Sequence, residues 1–112
     1  MAFNDHDSEL WHNRGISFWQ LGQRQEAAAD FQRALELNPW DGRPANNLGC
    51  LSLETSDPET ALHYFTLARD LDPSDPNPAL NVALALLALK RPQEALDFVE
   101  VLHLPLPVLA TG

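Results

Sequence analysis

The sequence is poor in the residues that most protein chemistry needs. Cys50 is its only cysteine, so an intrachain disulfide framework is excluded. Lys and Arg total 7 against 16 Asp and Glu, a net charge of −9, and the basic residues form no cluster. Such a chain repels a phosphate backbone, so nucleic acid is not expected as a partner. Only 5 glycines occur in 112 residues, and none builds a glycine-rich phosphate loop. The histidines, His6, His12, His63 and His103, lack metal-ligand spacing and are expected at the surface. No base is paired with Cys50, which reads as a buried structural thiol. No catalytic group, cofactor or metal is therefore expected. The almost wholly apolar stretch 79–89 is too short to span a bilayer, and residues 1–7 lack the basic and then apolar order of a signal peptide. A cytoplasmic protein without membrane contact is the expectation.

What is present repeats. Asn13, Asn47 and Asn81 are 34 residues apart, as are Ala27, Ala61 and Ala95, then Phe31, Phe65 and Val99. Ala34, Ala68 and Leu102 keep the same register, with Pro39, Pro73 and Pro107 and with Gly15, Gly49 and Ala83. A period of this length marks stacked supersecondary units. Small residues at fixed points let two helices approach, and the larger residue four positions after each Ala fills the space beside the contact. Each unit is thus a helical hairpin.

Capping chemistry places the boundaries. Proline costs nothing at the first helical position, so Pro44 and Pro78 open the inner helices of units two and three, and Pro58 and Pro92 the outer ones. Asp57 and Ser8 are placed as N-caps, and Gly22 marks the first turn. Six helices are predicted, at 9–21, 24–37, 44–54, 58–71, 78–89 and 92–103. Most acids, among them Asp30, Glu36, Asp57, Glu59, Asp70, Asp72, Asp75 and Asp97, fall on outer helices and turns and read as solvated surface.

These columns resemble the tetratricopeptide repeat, whose pattern runs Trp-x2-Leu-Gly-x2-Tyr, Ala-x3-Phe and Pro over about 34 residues. Repeat one, 8–41, supplies Trp11, Gly15, Phe18, Ala27, Phe31, Ala34 and Pro39, with Arg14 where Leu is usual. Repeat two, 42–75, supplies Leu48, Gly49, Ala61, Phe65, Ala68 and Pro73, with Ala45 and Ser52 in the Trp and Tyr columns. Repeat three, 76–109, keeps Ala95 and Pro107 and has Ala79, Val82, Ala83, Leu86, Val99 and Leu102 elsewhere. The resemblance implies an all-α fold, a right-handed superhelical α-solenoid of three helix-turn-helix repeats. It would form one domain over 8–109, between a flexible N-terminus at 1–7 and a short C-terminal end at 110–112. It also implies a non-catalytic interaction scaffold that serves many partners.

In a solenoid the inner helices line the concave binding groove. Helical spacing puts Glu9, His12, Asn13, Ile16 and Trp19 on that stripe in repeat one. Arg43, Asn46, Asn47, Cys50 and Leu53 follow in repeat two, and Asn77, Leu80, Asn81, Leu84 and Leu87 in repeat three. The groove is then polar near the helix starts and apolar toward their ends. A carboxamide offers both a donor and an acceptor to a peptide unit, so the asparagine column suits the backbone of an extended peptide. The column has a second reading, local capping or family consensus with no ligand contact. The leucines likewise read equally as helix packing.

Heat-shock cochaperones of the resembled family clamp an acidic C-terminal carboxylate with basic residues. By position their basic sites fall on His12, Asn77 and Asn81 and their asparagine sites on Ile16 and Asn47, and only Asn47 matches. A neutral groove lacks the charge-assisted bonds such a ligand needs, so that role is not expected. Trp40, after Pro39, is expected to close the inter-repeat turn by packing. The apolar segment 101–109, broken by Pro105 and Pro107, supports a rival reading: a self-assembling structural module that oligomerises through its end faces and this tail. The leading expectation is an adaptor that binds a partner peptide in its groove.

Overall fold

The computed structural model describes the backbone of residues 5–101 and the side chains of residues 7–100. The six described helices are α1 (Asp5–Gln20), α2 (Arg24–Leu37), α3 (Arg43–Glu54), α4 (Pro58–Leu71), α5 (Pro76–Ala88) and α6 (Pro92–Val101). Each packs against its neighbours in the chain. The fold is an all-α solenoid of helical hairpins. The apolar tail, with Leu102, His103 and Pro107, lies outside the described residues, as do the predicted end of α6 and residues 1–4 of the expected flexible N-terminus.

The 34-residue columns are the core. Phe31 and Phe65 are fully buried, as are Ala27 and Ala61, and Ala95 and Val99 occupy the same places in the third hairpin. Gly15 and Gly49 make room for the two rings. A Cβ on Gly15 would stand 2.7 Å from Phe31 Cε1, and one on Gly49 would stand 2.5 Å from Phe65 Cδ1. The third hairpin changes both partners, with Ala83 for the glycine and Val99 for the phenylalanine. Volume lost from the ring is returned as a methyl across the contact, the kind of exchange a packed core tolerates.

The turn inside each hairpin is also one structure used three times. Gly22, Ser56 and Lys90, again 34 apart, take left-handed backbone with φ of 79°, 61° and 63°. The N–H after each returns to the first helix, from Gln23 to Phe18 O, Asp57 to Ser52 O and Arg91 to Leu86 O, at 2.8–2.9 Å. These bonds satisfy carbonyls that a helix end leaves unpaired. Only the first turn uses glycine, for which positive φ is unstrained.

Several boundaries differ from the sequence expectation. α1 begins at Asp5, so Asp5–Asp7 are helical and Ser8 is buried inside the helix and not its N-cap. Acidic residues suit the positive end of a helix, and Asp7 lies in the first turn of the lengthened α1. Pro58 and Pro92 open their helices as expected, and Asp57 caps α4 by accepting from Thr60 N. α5 starts earlier than predicted, at Pro76, with Asp75 as its cap and Pro78 inside its first turn, where the missing N–H is still unneeded.

Asp30 is not surface. It is 2% exposed, and Arg14 grips it with Nε to Oδ2 at 2.7 Å and Nη2 to Oδ1 at 2.8 Å. The guanidinium also lies over Trp11 at 4.8 Å and Phe18 at 5.3 Å. The arginine in the usual leucine place is thus paired with an acid on the facing helix.

Candidate functional site

Successive hairpins are joined by a short turn that recurs in detail. In the first, Asn38 Oδ1 accepts from Trp40 N at 3.2 Å, and Asp41 Oδ1 accepts from Arg43 N at 3.0 Å. In the second, Asp72 Oδ1 accepts from Ser74 N at 3.2 Å, and Asp75 Oδ1 accepts from Asn77 N at 3.0 Å. Each turn therefore ends in a carboxylate that accepts from the backbone two residues on, and in the second turn that carboxylate, Asp75, is the N-cap of α5.

Between these turns opens a cavity of about 510 Å³. Its wall takes His12 from α1, Arg43, Asn46 and Asn47 from α3, and Ala68 and Leu71 from the end of α4. Trp40 and Asp41 come from the first turn, and Asp72 and Asp75 from the second. The volume falls within the roughly 300–1,000 Å³ of small-ligand sites.

Of the sequence candidates, His12, Arg43, Asn46 and Asn47 meet at this cavity. His12 was expected at the surface but is 5% exposed. It shares a face of α1 with Ser8 and Gly15, also buried, and its ring meets Phe31 edge-on with centroids 5.7 Å apart. Burial pushes its pKa below the ordinary 6.5, and the Arg43 charge acts the same way against Asp41 and Glu9. The imidazole is held neutral. Arg43 is bound twice, with Nη2 at 2.7 Å from Glu9 Oε1 and 2.7 Å from Asp41 Oδ2. Burial works to raise the Asp41 pKa, but the Arg43 side chain, backbone N–H and charge outweigh it and hold the carboxyl below its ordinary range.

The asparagine column is partly a ladder between repeats, a role the sequence reading did not weigh. Asn47 Nδ2 stands 3.2 Å from His12 Nε2, and Asn81 Nδ2 donates to Asn46 Oδ1 at 3.0 Å. These bonds link α1 to α3 and α3 to α5. Asn13, on α1, is exposed.

The remaining candidates lie away from the cavity wall. Ile16 and Trp19 pack on the cluster of Ala27, Phe31, Leu48 and Leu51. Trp19 Nε1 donates to Glu54 Oε1 at 3.1 Å, where Arg24 Nε also donates at 2.8 Å. The Arg24 hydrogen bond, with that of Trp19, holds the Glu54 carboxyl below its ordinary range. Cys50 is half-buried and not fully buried as expected, packed with Leu53 and Leu87 on the cluster around Phe65. Burial, aided by Glu54, pushes its thiol pKa up, which is the wrong direction for a nucleophile. Leu80 and Leu84 are half-buried along α5, and Asn77 is exposed at its start.

Sequence reasoning missed the part played by the turns. Trp40 does not pack the turn closed: it is 79% exposed, on the cavity wall. Its backbone N–H is used by Asn38 within the turn. Asp72 and Asp75 had been read as solvated surface acids, and Asp41 had been given no role. The available signal was the recurrence of Asn38-Pro39-Trp40-Asp41 as Asp72-Pro73-Ser74-Asp75, an acid at the same place in both turns.

Among the described residues, no three His, Cys, Asp or Glu are grouped to hold a metal ion. No described helix is long and apolar enough to cross a membrane.

Two family profiles described as tetratricopeptide repeat match residues 8–41 and 46–102. No curated protein matches the sequence. Among solved structures, the second repeat domain of Spaghetti (RPAP3) bound to the HSP90 peptide SRMEEVD is similar, with a TM-score of 0.82 and 23% identity over 91% of this chain and 95% of that one. The Yersinia enterocolitica type III secretion translocator chaperone SycD has a TM-score of 0.77 and 21% identity, over 84% of this chain and 71% of that one. MamA has a TM-score of 0.79 and 18% identity over 83% of this chain. The chain spans about half the length of the MamA structures it matches.

Proposed function

The chain belongs to the tetratricopeptide repeat family, and on that premise we propose that it is a non-catalytic adaptor that binds an extended peptide segment of a partner protein along α1, α3 and α5. The observation that carries this reading is the cavity of about 510 Å³ where His12, Arg43, Asn46 and Asn47 meet. Amide and imidazole groups there can pair with successive peptide units. The half-buried Leu80 and Leu84 offer apolar surface further along. The cytoplasmic setting expected from the sequence is part of this reading.

An acidic C-terminus is not the expected ligand. The fold is shared with a structure that holds the HSP90 peptide SRMEEVD, but His12 here is neutral and buried, and Asn77 and Asn81 carry no charge. The guanidinium of Arg43 is already held by Glu9 and Asp41.

The test is selection of binders from a random-peptide library, then calorimetry with the wild type and Asn47→Ala. The adaptor reading expects affinity to fall by about 1–3 kcal/mol when the amide is removed, with the mass in solution unchanged. Selected peptides that bind Asn47→Ala as tightly as the wild type would count against the groove. A change in mass without a change in affinity would favour self-assembly instead.

A further inference from the structure

The cavity between the two inter-repeat turns is strongly unbalanced in charge. Three carboxylates, Asp41, Asp72 and Asp75, face one guanidinium, Arg43, on its wall. That guanidinium is bound by Asp41 and, from behind, by Glu9. Asp72 and Asp75 each spend Oδ1 on their own turn. Neither forms an ion pair among the described residues, because every arginine is committed elsewhere: Arg14 to Asp30, Arg24 to Glu54, Arg33 to Glu36, Arg69 to Asp70 and Arg91 to Glu94.

Two further observations point to a ligand. His12, part of the same wall and 5% exposed, has an Nδ1 without a hydrogen-bond partner. A buried polar atom left unpaired is costly, and here it belongs to a residue of the cavity wall. Trp40 also lines the cavity with a ring that is 79% exposed, an aromatic face available to a cation.

We propose that this cavity is a socket for a cationic side chain, an arginine or lysine of the bound peptide, with Asp72 and Asp75 as its counter-charges and Trp40 as its aromatic wall. The proposal rests on the peptide-groove reading and makes it specific. The asparagine ladder holds the peptide backbone, and the socket selects a basic residue at one position. The net charge of −9 favours approach of such a segment over long range.

The probe is N-acetyl-arginine N-methylamide, titrated into the isotope-labelled full chain and followed by NMR. The citrulline derivative, of like shape but uncharged, is the control. The socket predicts saturable shifts of the Trp40 indole N–H and of the Asn46 and Asn47 side-chain amides. Citrulline should bind about tenfold more weakly, since hydrogen bonds to a charged group are the stronger kind. Added salt should weaken the arginine response.

In the double variant Asp72→Asn with Asp75→Asn the arginine response should vanish. Asn at both positions keeps the Oδ1 acceptors of the second turn, and Asn is as good an N-cap as Asp, so the fold survives. Equal binding of citrulline, an undiminished response in the double variant, or no saturable response to arginine would each overturn the socket. The groove reading is judged separately on library-selected peptides. Peptides that bind the groove without a basic residue and ignore the double variant leave the groove standing and overturn the socket. If no peptide binds, the groove reading fails and the arginine titration still decides the socket.

Discussion

Gly49 and Phe65 form a contact that the third hairpin has rewritten as Ala83 and Val99, and the rewriting can be tested by transplanting it. Gly49→Ala places a methyl 2.5 Å from Phe65 Cδ1 and Cε1, on a ring with no exposure and no room to retreat. Relief of the glycine penalty in a helix is worth about 1 kcal/mol, against about 1–3 kcal/mol for overpacking. Net destabilisation of up to about 2 kcal/mol is expected from those two magnitudes. Phe65→Val alone leaves a hole. With Phe→Ala changes at about 3–5 kcal/mol, retention of the branched methyls brings the expected cost to about 2–3 kcal/mol. In the double variant the new methyl enters that hole, the clash disappears and the helix-propensity gain is recovered. Its loss of stability should be smaller than the sum of the single losses by about 1–2 kcal/mol. Urea unfolding followed by circular dichroism on the four proteins measures this. Additivity within about 0.5 kcal/mol, the behaviour of independent sites, would refute the packing argument.

Other expectations follow from the turns and the buried charges. Ser56→Gly and Lys90→Gly should each stabilise by about 0.5–1 kcal/mol, because a side chain in left-handed backbone is strained and glycine is not; chemical denaturation checks both. Arg14→Leu, although it restores the family's usual residue, should lower the melting temperature, since Asp30 would remain buried without its partner. Replacing both residues with apolar ones should recover much of the loss. The pH profile should show two declines. Burial holds His12 below its ordinary pKa of 6.5, so the unfolded chain takes up that proton first as pH falls. Its contribution is full above pH 6.5 and shrinks below it, and His12→Gln should remove this first decline. The second belongs to the carboxylates held below ordinary values of 3.8 for Asp41 and Asp57 and 4.5 for Glu54 and Glu94, whose contribution is full above those values and is lost at more acid pH.

The helical hairpins were legible because a 34-residue period writes each contact three times. Ala27 with Phe31, Ala61 with Phe65 and Ala95 with Val99 could be checked against one another before any coordinates. Boundaries set by a local cap, such as Asp57 with Pro58, were legible too. Where two signals competed the choice failed: Ser8 looked like a cap, but Asp5 and Asp7 had already begun the helix. Pairings between helices left no local trace. Asp30 read as surface because its partner, Arg14, lies 16 residues away on another helix. His12 read as surface because the groups against its ring, Phe31 on α2 and Asn47 on α3, come from other helices. Trp40 shows the opposite error, an aromatic residue assumed to pack that the turn leaves outside.

The most direct test of the account is to map where a library-selected peptide sits, by NMR contacts between the bound peptide and the full chain. The account predicts contacts from Trp40 in the first inter-repeat turn and from Asn46 and Asn47 on α3, extended to Asn13 on α1 and Leu80 and Leu84 on α5. Contacts confined to the faces of α2, α4 and α6, with α3 untouched, would contradict it.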